Sequence, residues 1–295
     1  MRIEFNHLTC TYPAGPVTGL DDLTASVDGR VVGVLGHNGS GKTTLIRIMA
    51  GVMPASSGEV FIDGVRPVAQ RLPLIPSSAP RFSFFPQEMP NFPLAQTPRQ
   101  TLEHSLILAG ATDSPSRSEM AAGLLDMVGL GAVADRAVST FSGGMKQKVR
   151  IAQSLVHNPT ALVLDEPTTG LDVRERLTIL RLLHRLSVRV PVVFSTHDCY
   201  DAAAVCDVAL ILARGRLMAH GSPEDLTARV SGQVWEWWVS AVEAVQEDGA
   251  FVTRLHKYAN GVRVRAVSAV PPPGATAVPP TLEDAYALLT QDAQS

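Results

Sequence analysis

The apolar positions change period several times along the chain, and each change marks an element. VVGVL at 31–35 is a short, β-branched run, and after a glycine-rich interval Leu45, Ile46, Ile48 and Met49 recur at helical spacing. That pattern predicts a strand, a loop and a helix in succession. In SGEVFIDG at 57–64, Val60 and Ile62 alternate with other residues before an Asp63-Gly64 turn. This predicts an antiparallel hairpin, and with it a small β-subdomain beside the main core. Between 65 and 101 eight prolines, from Pro67 to Pro98, disfavour long helices and predict loops with short strands. The pattern over 103–129 is helical.

Met145, Val149, Ala152 and Val156 mark a further helix that follows Ser142, a residue suited to cap it. ALVL at 161–164, the run at 191–196 and VALIL at 208–212 read as buried strands, with a helical stretch between the last two. Such runs predict a parallel sheet with helices on its faces. The core is expected to end near Leu226. Beyond it, 233–240 and 251–267 alternate like strands, PPPGATAVPP at 271–280 reads as a linker, and 281–289 as a closing helix. The organisation is therefore a main domain over 1–230 and a small appended α+β module over 231–295, whose removal is expected to leave ligand binding intact.

Composition narrows the function classes. The 295 residues are 45% hydrophobic and 18% charged, an ordinary globular balance with room for a sizeable core. A net charge of −3 provides no basic field for counterion release, so nucleic acid is not an expected partner. Cys10, Cys199 and Cys206 have no metal-ligand spacing and suit reduced, buried thiols. The longest apolar runs, such as VALILA at 208–213, fall short of the roughly 18 residues of a membrane span. The opening MRIEFNHLTC lacks an apolar signal core, so a cytoplasmic location is expected. Only four of the 25 basic residues are lysines (Lys42, Lys146, Lys148, Lys257), which makes the place of each informative.

Lys42 completes GHNGSGKTT at 36–44, of the form G-x-x-x-x-G-K-[ST]. Here Gly36, Asn38, Gly39, Ser40 and Gly41 let backbone N–H groups approach phosphate oxygens at a helix start. Lys42 bridges β- and γ-phosphates, Thr43 offers its hydroxyl to Mg²⁺, and Thr44 belongs to the same anion site. Asp165 follows four apolar residues and so sits at the carboxyl end of a strand, where ligands gather in such sheets. It is the candidate Mg²⁺ ligand. Glu166, one residue on, points differently and is the candidate for polarising an attacking water.

With FSGGM at 141–145, LVLDEP, GLD and STHD in this order and spacing, residues 1–226 resemble the ATP-binding cassette (ABC) ATPases. The resemblance implies a P-loop α/β fold with an antiparallel β-subdomain and a helical subdomain, and hydrolysis of ATP with Mg²⁺. It implies two cassettes closing head to tail, with Ser142, Gly143 and Gly144 contacting the γ-phosphate held by the partner. A helix start with two glycines is an anion site on physical grounds as well. His197 matches the switch histidine, and Gln87 the glutamine that senses Mg²⁺ and water and links to a membrane subunit. Asp172 matches the acid that communicates across the dimer. Tyr12 matches the aromatic that stacks on adenine, although a tyrosine in the turn CTYPAG also serves simply to pack. Phe141 and Met145 stand where the commonest form has leucine and glutamine.

Lys42 and Ser142 lie 100 residues apart with no heptad run between them, unlike the cassettes of DNA repair. No N-K-x-D reads guanine. The remaining expectation is a transporter subunit, peripheral on the inner face of the cell membrane, with an integral-membrane permease and a second ATPase subunit as partners. A soluble ATPase that remodels a protein or ribosomal partner is the rival. FSGGMKQK, EPTTGLD and the tail TLEDAYALL resemble the ABC-2 type, which predicts export. Met89, Phe92 and Leu94 either line a groove for the permease or pack within the cassette.

Overall fold

The computed structural model describes residues 1–12, 18–67, 82–87, 92–93, 95–111, 113–242 and 250–291. Three strands open and flank the fold: β1 (Arg2–Thr11), β2 (Thr18–Asp28) and, after β3 (Val31–Leu35) and α1 (Lys42–Met49), β4 (Ser57–Ile62). They form an antiparallel sheet in the order β2-β1-β4. The β-subdomain is thus present. Among the described residues the Asp63-Gly64 turn closes one antiparallel bridge, Ile62 to Val65, and β4 pairs along its length with β1 (Ile3 with Ile62, Phe5 with Val60). The pairing with β1 puts Ile3, Phe5, Val60 and Ile62 on one buried face.

The central sheet has the order β5-β6-β7-β3-β8-β9. Its other strands are β5 (Phe82–Phe85), β6 (Ala161–Leu164), β7 (Val192–Thr196), β8 (Val208–Ala213) and β9 (Arg216–Gly221). All neighbours are parallel except β8 and β9. The helical stretch over 103–129 is two helices, α2 (Pro98–Leu108) and α3 (Ser114–Met127). Each begins at a proline-containing first turn behind a side-chain cap, Thr97 and Asp113. The helices α4 (Gly143–Ser154), α5 (Val173–Ser187), α6 (Cys199–Val205) and α7 (Pro223–Ala228) follow.

Period-two alternation sorts the strands onto two faces. Val32, Val34, Val163, Val193, Leu210 and Leu212 pack with α1 and the antiparallel sheet. On the other face Val31, Leu162, Leu164, Val192 and Phe194 pack with the helices. Leu35, Ala209 and Ile211 meet a third cluster, and this one is shared with the C-terminal segment. That segment forms its own antiparallel sheet, β11-β12-β10-β13, from β10 (Val234–Val239), β11 (Phe251–Tyr258), β12 (Gly261–Val267) and β13 (Thr276–Ala277), and ends in α8 (Leu282–Thr290). Its Val234, Val267, Leu282 and Ala285 close over Leu35, Ala202, Ile211 and Leu226. Removal of 231–295 therefore uncovers one face of β3 and β8, an outcome the sequence pattern did not anticipate.

α8 is fastened to its sheet by Asp284, which is fully buried. Its carboxylate accepts from Arg265 Nη2 at 2.7 Å and Nε at 3.1 Å, Thr253 at 2.9 Å and the Thr281 hydroxyl at 2.7 Å. No helix among the described residues is long and apolar enough to cross a membrane. If the third cluster is continuous with the main core, Leu282→Ala costs about 2–5 kcal/mol in one cooperative unfolding transition. Two urea transitions, with only the weaker one shifted, would show that the C-terminal segment melts independently.

Candidate active site

α1 starts at Gly41, whose φ of +103° and lack of room for a Cβ (2.4 Å from the Gly19 carbonyl oxygen) demand glycine. Gly36 is as constrained, since a Cβ there would lie 2.2 Å from Ser40 Oγ and 2.7 Å from the Leu212 carbonyl oxygen. Every other α-helix among the described residues has a side-chain N-cap; α1 has none, and no acidic residue in its first turn. Its first N–H groups and positive dipole end are left for an anion. Asn38, Gly39 and Ser40 complete the loop, and a Cβ on Gly39 would meet nothing within 4 Å, so the loop stays open on that side.

Lys42 lies in this loop, 5% exposed. Its ammonium donates to the carbonyl oxygens of Gly36 at 2.7 Å and His37 at 3.1 Å, and pairs with Glu166 Oε1 at 3.4 Å. Burial pushes its pKa below the ordinary value, opposed by the carboxylates of Glu166 and Asp165.

The two acids diverge as their adjacency requires. Asp165 leaves β6 in the strand direction, and its Oδ1 accepts from Ser195 Oγ at 2.7 Å and from Thr43 Oγ1 at 3.3 Å. Glu166 turns into the left-handed region, φ +45°, a conformation costing on the order of 1–3 kcal/mol and concentrated at functional sites. Ser195 Oγ receives its N–H at 2.8 Å and steadies the turn. The Glu166 side chain, 7% exposed, gathers Lys42, Thr169 Oγ1 at 2.7 Å, Gln87 Nε2 at 3.3 Å and His197 Nδ1 at 3.3 Å. Burial raises its pKa, yet the Thr169 hydrogen bond and the charges of Lys42 and His197 together hold it below the usual carboxylate range.

Thr43 and Asp165 suit Mg²⁺: a hydroxyl and one carboxylate leave the remaining positions to phosphate oxygens and water, as is usual for this ion. Tyr12 reaches the same loop, its hydroxyl 2.7 Å from Thr44 Oγ1 and its ring against Gly19. The predicted residues thus fall into two groups. Gly36–Thr44, Tyr12, Gln87, Asp165, Glu166 and His197 converge. Ser142, Gly143, Gly144 and Asp172 stand apart: Ser142 Oγ caps α4 through the Met145 N–H, Asp172 caps α5 through the Glu175 N–H, and both glycines lie against Glu175.

Both departures in the signature have a packing explanation. Phe141 is buried in the core under α4, and Met145 packs against the same cluster. Phe92 also packs on it, with the Arg150 guanidinium 5.4 Å from its ring centre, whereas Met89 and Leu94 lie outside the described residues. Sequence reasoning missed Ser195, Thr169 and Gln147, whose Nε2 donates to the Pro167 carbonyl at 2.7 Å. The one available signal was polarity at positions where apolar residues were expected, as at Ser195 within VVFST.

A glycine-rich loop at a helix start, a strand-end acid pair and His197, all at the ends of neighbouring parallel strands, form the site of a P-loop ATPase. The ABC transporter family pattern matches residues 20–169, and the chain belongs to that family. Its cassette binds ATP with Mg²⁺ and hydrolyses it. The chain is 33% identical to an uncharacterized ABC transporter ATP-binding protein, YxlF of Bacillus subtilis (strain 168), over 66% of this chain and 62% of that one. It is 31% identical to the Fe(3+) ions import ATP-binding protein FbpC of Brucella melitensis biotype 1, over 94% of this chain and 78% of that one. The dimeric cassette MJ0796 bound to ADP and Pi superposes with a TM-score of 0.63 at 26% identity, covering 75% of this chain and 98% of that one.

Two outcomes follow from the buried acid and its lysine. Because the folded pKa of Glu166 lies below its unfolded value, its carboxylate contributes stability above about 4.5, lost as pH falls through the lower folded value. The urea midpoint of wild type is therefore expected to fall more steeply than that of Glu166→Gln as pH drops below 4.5. Lys42→Ala is expected to abolish the stabilisation by Mg·ATP, worth about 2.7 kcal/mol at 100 times Kd. A retained thermal shift would put nucleotide elsewhere.

Proposed function

We propose that this chain is the ATP-hydrolysing subunit of a transporter whose membrane-spanning permease is a separate chain. The observation that carries the reading is the convergence of Lys42, Gln87, Thr169 and His197 on one buried carboxylate, beside an acid already bonded to Thr43. Phosphoryl transfer needs positioning and charge stabilisation more than a strong base. A γ-phosphate entering the loop competes with Glu166 for Lys42. Glu166, still held by Thr169, then accepts a hydrogen bond from the attacking water, with Gln87 and His197 flanking it. Thr43 and Asp165 would hold Mg²⁺, which would supply charge neutralisation on the phosphates. Tyr12 stacks on adenine.

Ser142, Gly143, Gly144 and Asp172 serve the second nucleotide of a dimer. Their separation from the phosphate loop and the exposure of Ser142, Gly143 and Asp172 support that role, as does the dimeric state of MJ0796. The assembled subunit sits on the cytoplasmic face of the membrane, and we assign it to export on the wording of FSGGMKQK, EPTTGLD and TLEDAYALL. FbpC is named for import, so direction is read from the permease that accompanies this chain.

Glu166→Gln is expected to lower turnover at least about a hundredfold with ATP binding retained. The same variant, held with ATP in gently solubilised native membranes, is expected to co-purify a polytopic protein in stoichiometric amount. An added solute-binding protein would turn the direction to import. A soluble protein or ribosomal partner alone would replace the transporter reading with that of a remodelling ATPase.

A further inference from the structure

The peptide unit joining Gly36 to His37 is gripped on both edges. Its carbonyl oxygen accepts from Lys42 Nζ at 2.7 Å, and its N–H donates to the hydroxyl of Tyr286 at 2.9 Å. The preceding N–H, of Gly36, donates to the Thr196 carbonyl oxygen at 3.3 Å, and the next carbonyl, of His37, also accepts from Lys42. A peptide plane held on one edge only is free to rock about its two Cα atoms; held on both, it fixes the direction of its carbonyl. Tyr286 comes from α8, 249 residues further along the chain. We propose that Tyr286 is a positioning residue for ATP: its hydroxyl fixes the Gly36–His37 peptide, and through it the phosphate loop and Lys42, so that the C-terminal helix is part of the nucleotide site.

The tyrosine is itself held. Asp284, two residues earlier, is clamped by Arg265, Thr253 and Thr281, while Leu282 and Ala285 belong to the same buried cluster as Leu35, the last residue of β3. Leu35 immediately precedes Gly36, so α8 shares a buried cluster with the end of β3 and holds the first peptide of the loop by a hydrogen bond. Beside this contact a cleft of about 820 Å³, lined by His197, Cys199, Arg254, Glu283 and Tyr286, separates the outer side of α8 from α5 and α6. Tyr286 thus has one side on that cleft and the other against the third cluster, with its hydroxyl reaching the His37 N–H. This inference rests on the assignment of the phosphate loop as the ATP site.

Tyr286→Phe in the full chain removes the hydroxyl and keeps the ring. The expected result is a rise of about 2- to 10-fold in KM for Mg·ATP, the loss of one neutral hydrogen bond, with kcat and the nucleotide-free Tm close to wild type. Leu289→Ala, a packing change on the same helix, is the companion variant and is expected to lower Tm and leave KM unchanged. An unchanged KM in Tyr286→Phe, or a rise in KM that tracks the fall in Tm across both variants, would overturn the proposal. Lys42→Ala separates the two failures: if it still binds nucleotide the site assignment fails, whereas if it does not and Tyr286→Phe matches wild type, only the role of Tyr286 falls.

Discussion

The carboxylate of Glu166 is the point on which the site turns. A buried acid is costly unless its charge is matched by donors close at hand, and here an ammonium, a hydroxyl, an amide and an imidazole all reach it. They come from different parts of the sequence, and the strand order is what assembles them. β5, β6, β7 and β3 are consecutive neighbours in the sheet, all parallel. Their carboxyl ends lead in turn to Gln87, to Asp165 and Glu166, to His197, and to the loop that carries Lys42. A sheet with these strands in another order would scatter the same residues, because each depends on emerging beside its neighbour at one edge.

That edge is rigid because the strands beneath it are buried on both faces, with residues of alternating parity committed to different clusters. Val163 and Leu164 are adjacent in sequence and pack on opposite sides of the sheet, so a one-residue slip of β6 would invert both faces and carry the acid pair away from Thr43. The third cluster extends the same constraint to the C-terminus. Leu35 at the end of β3 lies in one buried cluster with Leu282 and Ala285, so the strand that presents the phosphate loop shares its core with α8.

How far this was legible in the sequence varies with the range of the interaction involved. The strand, loop and helix over 31–49, the buried strands at 161–164 and 208–212, and the cap at Ser142 follow from periodicity and local chemistry, and they stand as read. The pairing of β4 with β1 was not legible, because the Asp63-Gly64 turn is a local signal and β1 lies 48 to 59 residues earlier in the chain. The lysine and acids of the site announced themselves by motif. Ser195 and Thr169 lie within STHD and EPTTGLD but had no role there, because nothing in a single hydroxyl residue reports that a carboxylate will fold onto it. Tyr286 was hidden more deeply, within a short helix whose pattern explains it as a packing residue.

One network carries the geometry at Glu166 outward. Asp201, 1% exposed at the start of α6, accepts from Thr168 at 2.7 Å and Thr196 at 3.0 Å and pairs with Arg176 of α5 at 2.6 Å. Thr196 precedes His197 and Thr168 lies between the acid pair and Asp172, while Arg176 also pairs with Asp198. One buried charge therefore ties the loop bearing His197 to the loop leading to Asp172. Losing Arg176 leaves Asp201 underpaired in a low-dielectric setting, a penalty of about 3–5 kcal/mol when a buried ion pair loses a partner, and losing either threonine hydroxyl costs about 1–3 kcal/mol. The cheaper response to a shift of His197 is for the two loops to move together, which makes the spacing between the Glu166 carboxylate and the exposed start of α5 a property of the whole network.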